Sequence, residues 1–445
     1  MREKGKGVKQ LSITIRSCKF CAGNAMRALY LFFLVFCVVF PAKLFAASPG
    51  SDLAPVQSDG KWGFIDVKGE WAIPPKFDGL DSFAVNGLAT ASNNGKWGFI
   101  NTKAEWVISP RFDGVEGFAA NGLAKARIDG KWGFIDTKGE WVIPPKFDYV
   151  RDDFATNGLA AAESDEKWGF IDIRGKWAIP PKFDEVVEYE TFVGNNLALV
   201  KSGEKWGFID ARGKWVIQPK FDRIGNFAAS GLAPAVVNER GAGFIDVRGE
   251  WMIPPTFDTV DNFAANGLAP AENERGWGLI DAKGEWVVPP KFDRLESFAA
   301  NGLAKAAIKA RDRSYGFIDA KGEWVISPRF DDVEGFAANG LAKAKIDGKW
   351  GFIDTKGEWV IPPELDYIMD FDANRLAKAR INGKWGFINT NGAWVISPKL
   401  DEAAYYFAIN GLAQAKVDGK WGFINTKGEW AIAPKFDYVK PFATK

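Results

Sequence analysis

Residues Lys131–Asp148 read KWGFIDTKGEWVIPPKFD, and variants of this stretch recur eleven times along the chain. The first aromatic of each copy falls at Trp62, Trp97, Trp132, Trp168, Trp206, Trp277, Trp350, Trp385 and Trp421, with Ala242 and Tyr315 in the two remaining places. A second Trp follows at Trp71, Trp106, Trp141, Trp177, Trp215, Trp251, Trp286, Trp324, Trp359, Trp394 and Trp430. These two series use all 20 Trp of the chain at a spacing of about 35 to 38 residues, so the tandem repeat sets the architecture.

One unit, Leu123 to Gly158, shows how each copy folds. Leu123–Ile128 alternates small or apolar residues with Lys and Arg, the period of a half-buried strand. Asp129-Gly130 is a hairpin signal, because a type I′ turn needs positive φ at both central positions. Lys131–Asp136 is the second strand, and Thr137–Gly139 a second tight connection in which Gly takes the left-handed place. Glu140–Ile143 is the third strand, expected to stop at Pro144-Pro145, which cannot donate to a ladder. A looser arm then runs through Phe154 to Asn157-Gly158 and adds a short strand or a helical turn. No segment sustains a 3.6-residue period, so helix is expected to be scarce.

A unit of this size cannot bury a core alone and must stack on its neighbours. The expected fold is all-β, a tandem array of eleven antiparallel β-meander units in an open, superhelical or solenoid-like arrangement. The alternative is closure into one or two β-propeller-like rings. Eleven units exceed the usual four to eight blades, the array starts and stops in phase, and a split into two rings would fall near the insertion at residues 188–196.

Residues 1–46 read as a secretory signal peptide: a basic segment, an apolar run from Ala28 to Phe40, and the small-residue exit around Ala46-Ala47. The run is shorter than the ~20 residues of a membrane span, so no stable membrane insertion is expected after cleavage; an uncleaved anchor is the alternative. Met26 would begin a more compact signal. Residues 47–52 form a short linker, and residues 53–445 the eleven repeats. Cys18, Cys21 and Cys37 are the chain's 3 cysteines, and all lie in this leader, so the repeats are expected to carry no disulfide. Export to the periplasm, the cell surface or the medium follows.

Taking the leader's eight Lys/Arg and single acid from the totals of 57 and 56 leaves 49 basic and 55 acidic residues, a net charge near −6. That balance, with no continuous basic stripe, argues against nucleic-acid binding. With 0 His in the chain and every Cys in the leader, Ser-His and Cys-His nucleophilic systems have no residues to use. No catalytic residue, metal ligand or cofactor is assigned. The recurring Asp of each Phe-Asp or Leu-Asp pair, and the Asp or Asn closing each second strand, suit turn and cap hydrogen bonds. They provide too few oxygens for calcium, which takes six to eight.

The KWGFID strand, glycine turn and hydrophobic-Ile-Pro-Pro run ending in Phe-Asp resemble the bacterial WG (KWG) β-repeat family over residues 53–445. The resemblance implies an extracytoplasmic or surface repeat protein that mediates interactions. Ala242 and Ala104, which replace the usual Trp and turn Gly, depart from the pattern. Both Trp series are expected in the core, with Gly after the first aromatic so that a neighbouring ring can lie over its backbone. The expected function is a secreted, non-catalytic scaffold for a protein partner, with glycan or cell-wall binding through surface Trp as the alternative. Irregular copies offer the candidate specific surface: Glu188, Tyr189, Glu190, Ala242, Arg311, Arg313 and Tyr315.

Overall fold

The computed structural model describes residues 52–151, 153–187, 196–238, 241–308 and 314–442; the leader and the enlarged segments at 188–195 and 309–313 lie outside the described residues. Strands and turns make up what is described, and no helix is among them. The first two strands of the unit form as the alternation predicts. Ala124–Ile128 pairs antiparallel with Lys131–Ile135 across Asp129 (φ 51) and Gly130 (φ 77), both left-handed as a type I′ turn requires. In the second turn, Asp136 Oδ1 accepts the amides of Lys138 and Glu140 at 2.9 Å each, while the Gly139 amide closes on the Asp136 carbonyl.

The third strand differs from the expectation. It does not stop at the prolines but runs Trp141–Phe147, straight through Pro144-Pro145. Phe134 pairs with Ile143 and Trp132 with Phe147, so two steps on the second strand face four on the third. The extra residues form a bulge on an edge strand, where the missing proline N–H leaves no ladder bond unmade. That bulge also explains the Trp-Gly dipeptide. A Cβ on Gly133 would lie 2.4 Å from the Ile143 carbonyl oxygen and 2.8 Å from Pro145 N, so the bulged backbone occupies the side-chain space. The predicted aromatic cover is secondary: a Cβ on Gly169, Gly278 or Gly386 would lie 2.8 Å from the Trp177, Trp286 or Trp394 ring, but the carbonyl oxygen is closer each time.

The connecting arm opens with a two-residue strand, such as Tyr149–Val150, that pairs not with its own unit but with the first strand of the next. Each four-stranded sheet, hereafter a blade, carries as its outermost member a short strand from the arm before it. Numbered in chain order, blades 1 to 11 take their three longer strands from residues 54–77, 89–112, 124–147, 159–183, 197–221, 233–257, 269–292, 304–330, 342–365, 376–400 and 412–436. Blade 1 differs. Its fourth strand is Tyr438–Val439 from the far end of the chain, with Val56 opposite Val439 and Gln57 opposite Tyr438. The array is thus closed rather than open: the repeats are out of phase with the blades by one strand, and that offset joins the ends.

Hydrophobic packing gives the same answer. Among the described residues there are eleven buried clusters, each formed by two adjacent blades, where an open row of eleven would have ten. The eleventh joins Phe423, Ile432, Phe436, Val439 and Phe442 to Ala54, Val56 and Ile65. The fold is one eleven-bladed β-propeller, undivided at the 188–195 insertion.

Turn glycines seat one blade on the previous one. A Cβ on Gly139 would come within 2.7 Å of Ile108, and one on Gly69 within 2.8 Å of Ile432 across the closure. Blade 2 has Ala104 at this place, held at φ 61. A non-glycine residue there costs about 1–2 kcal/mol. Ala104→Gly is expected to stabilise the protein by about 1 kcal/mol after the added chain entropy is offset; a denaturant midpoint at or below that of the parent would refute the strain.

Candidate functional site

The seams between blades hold nearly all the side chains that the sequence marks as special. The first Trp of each copy lies along its own sheet and is mostly half-buried; Trp168 is buried. In several copies its face is covered by a cation from the adjacent strand, as with Arg127 over Trp132 (5.5 Å), Lys201 over Trp206 (5.7 Å) and Lys416 over Trp421 (5.6 Å); Trp97 and Trp277 face Ser92 and Glu272 instead. Tyr149 and Tyr438, from the short strand of the following blade, meet Trp132 and Trp421 in T-shaped contacts. The second Trp stands edge-on to the last Phe of the preceding blade, with centroids 5.6 Å apart for Phe77–Trp106, 5.5 Å for Phe112–Trp141 and, across the closure, 5.7 Å for Phe436–Trp71.

Charges are used in the seams as well. Asp148 takes the Lys131 ammonium of its own unit on one oxygen and the Asp165 amide of the next blade's hairpin on the other, at 2.9 Å. The closure repeats this, with Lys420 and the Asp59 amide on Asp437. Cations of the Pro-Lys-Phe segment bridge forward too: Lys146 Nζ donates to the Gly175 carbonyl (2.8 Å), and Lys291 to that of Gly322 (3.0 Å). Many of the singly recurring Lys and Arg residues are therefore staples between blades.

The lysine hydrogen bonds hold the carboxyls of Asp78, Asp113, Asp148, Asp184, Asp366, Asp401 and Asp437 below the usual range. A carboxyl depressed in the folded state contributes stability that is whole above its unfolded value, near 4, and is lost as pH falls through the folded one. The melting temperature is expected to fall as pH drops below about 4, and Asp437→Asn to reduce that dependence. A melting curve unchanged between pH 5 and 2 would refute the staples.

The staple lysine is replaced by Gly241, Gly276 and Ser314 in blades 6, 7 and 8, and two local departures shift a titratable group. In blade 7, Gly276 (φ 116) replaces the staple lysine. There burial, and then the charge of Asp258, push the Glu272 carboxyl up, while a hydrogen bond from Trp277 opposes the shift. In blade 10, Lys378 is buried between small residues, and burial pushes its ammonium down to about 8. Its Nζ donates to the Ala403 carbonyl at 2.6 Å and lies 4.1 Å from the Trp385 ring centre and 4.9 Å from that of Tyr405. Sequence reasoning missed it, although a lysine between the alanines of a buried strand was its visible sign. Among the described residues no group of three or more Asp or Glu is placed to hold a metal ion.

Of the irregular candidate surface, Glu188, Tyr189, Glu190, Arg311 and Arg313 fall outside the described residues. Ala242 and Tyr315 are not surface residues: they are 0% and 9% exposed, packed in the seams of blades 6 and 8. What is exposed in regular order is the residue after the second Trp. Val107, Val142, Val216, Met252, Val287, Val325, Val360 and Val395 are 37–55% exposed, and Ala72, Ala178 and Ala431 complete the series.

Together, the blade topology and the recurring Trp-Gly seam define a propeller built from tandem β-meander repeats. Eleven successive segments match the family described as WG containing repeat, at residues 62–97, 97–132, 132–168, 168–206, 206–240, 243–274, 277–309, 315–350, 350–385, 385–421 and 421–445. The chain belongs to this family. No curated protein sequence matches it. Solved structures similar to it include a eukaryotic initiation factor (9% identity, TM-score 0.39, covering 88% of this chain and 100% of that one). Another is the dihydro-heme d1 dehydrogenase NirN in complex with DHE (13%, 0.28, 65% and 75%). A third is the extracellular domain of the one-component system BT4673 from B. thetaiotaomicron (6%, 0.26, 86% and 64%). At these identities and scores they add nothing to the strand topology.

Proposed function

We propose that the protein is an exported, non-catalytic scaffold whose propeller presents a repeated apolar stripe to a protein partner at the cell envelope. The observation that carries this reading is the series of exposed Val and Met residues on the third strands. Each sits on an edge strand whose proline bulge blocks strand addition, so a partner would be held by side chains rather than by a shared ladder. Many lysines and aspartates of the repeats are committed to joining blades. The signal-like leader motivates export.

The test is a binding comparison with envelope proteins from the producing cell. A partner retained by the parent and lost by a Val107→Glu, Val142→Glu, Val325→Glu, Val360→Glu variant supports the stripe; equal retention overturns it. The half-exposed edges of the Trp rings, with Trp71 38% exposed, favour the glycan reading to a lesser degree. Covered ring faces weigh against it, since a sugar stacks on a face. Titration with envelope polysaccharides, read by Trp fluorescence, distinguishes the two: saturable quenching supports glycan binding, and an unchanged spectrum removes it.

A further inference from the structure

We infer that the seam between blades 6 and 7 is a binding pocket for one flat aromatic ring of about indole size, a role that goes beyond the scaffold reading. In a regular seam, three positions wall the first Trp. One is the short strand of its own sheet: the far edge of Trp132 lies 3.9 Å from where a Cβ on Gly114 would stand. The second is the cross-strand residue, Arg127. The third is the short strand of the next blade, Tyr149. By register, the same positions around Ala242 are Arg223, Val236 and Thr259. All three line a cavity of about 220 Å³, with Ile224, Gly225, Pro234 and Val260 completing the wall. The cavity thus takes up the outer part of the space that a first Trp fills in a regular seam; Ala242 itself is fully covered and does not line it.

Two further changes make this slot apolar. Pro234 stands where blades 3, 8 and 9 have Lys125, Lys305 and Lys343, and Gly225 where those blades have their ion-pair partners Glu116, Glu296 and Glu334. A Cβ on Gly225 would lie 2.8 Å from Pro234 Cγ, so the glycine accompanies the proline. Ile224 and Val260 are half-exposed, whereas Leu80, Val150, Val186, Leu295 and Val333 at the same place are buried. Apolar surface is thus left open at this seam, as it is in part at Val115, the equivalent place in blade 3. An apolar cavity of about 150 Å³ suffices for benzene, and this one is larger. Arg223, exposed at the rim, can lay its guanidinium on the bound ring. Tyr315 fills the corresponding place in blade 8, so that seam offers no such room.

The intact protein is titrated with indole and with N-acetyl-tryptophanamide, followed by saturation-transfer NMR and calorimetry, alongside Ala242→Trp. Saturable binding to the parent, weakened at least tenfold by Ala242→Trp, is the expected result. Binding of both ligands would indicate a presented Trp side chain, and binding of indole alone a small free aromatic; either upholds the pocket. Val236→Arg, which places the residue of blade 3 in the same space, is expected to weaken binding as well and serves if Ala242→Trp does not fold. No saturable binding by the parent, or binding unchanged in a folded variant, overturns the inference.

Discussion

A chain ending at Phe436 is expected to melt well below the parent and to associate through its ends. The truncation removes Asp437, Val439 and Phe442, and with them the Val56–Val439 pairing and the staple to the Asp59 amide. Phe442 is 1% exposed and packs at a tilt against Phe423 with centroids 4.9 Å apart. Losing such a ring alone costs about 3–5 kcal/mol. Strand Ala54–Ser58 becomes an unpaired edge, and the blade 11 face around Phe423 and Ile432 loses part of its cover. Those two surfaces are complementary but no longer joined within one chain, so they meet between chains, head to tail. Calorimetry and size-exclusion chromatography at several concentrations would measure this. A truncated chain that melts like the parent and stays monomeric would refute closure by the terminal strand.

Gly133→Ala is expected to destabilise more than Gly130→Ala, although only the second site has positive φ. At Gly130, Ala meets open space and pays the left-handed penalty alone, about 1–2 kcal/mol. At Gly133, its methyl would be driven into the Ile143 carbonyl and the Pro144-Pro145 backbone, which cannot move without opening the bulge. Overpacking of this kind costs about 1–3 kcal/mol, and here the obstacle is main chain rather than a rotatable side chain. Both variants can be compared by denaturant midpoint; the opposite order would mean that the bulge yields.

These expectations show where reading along the chain succeeds and where it stops. The Asp129-Gly130 turn, the alternation in Leu123–Ile128 and the need of each unit for neighbours follow from local chemistry, and the structure reproduces them. Pro144-Pro145 misleads because proline is a strand breaker only where its N–H is needed. Whether an edge is free depends on what lies beside it, which no local pattern records. The Trp-Gly pair is visible as a repeat, yet its cause lies in a bulge on the adjacent strand. The vacancy beside Ala242 is marked in the sequence by a missing Trp, but Ala alone does not say whether the seam closes around it.

Local chemistry accounts for the unit: its strands, its tight turns, the number of copies and the requirement that they stack. That the row closes is a matter of how the blades pack. Closure depends on the small rotation from each blade to the next, accumulated over eleven seams, and on whether Tyr438–Val439 arrives beside Ala54–Ser58. Each rotation is set by contacts such as Gly139 on Ile108 and Trp141 on Phe112, between residues about 30 positions apart. Their geometry is a property of packed surfaces, so the ring, and the cavity in the seam between blades 6 and 7, exist only once the blades are in place.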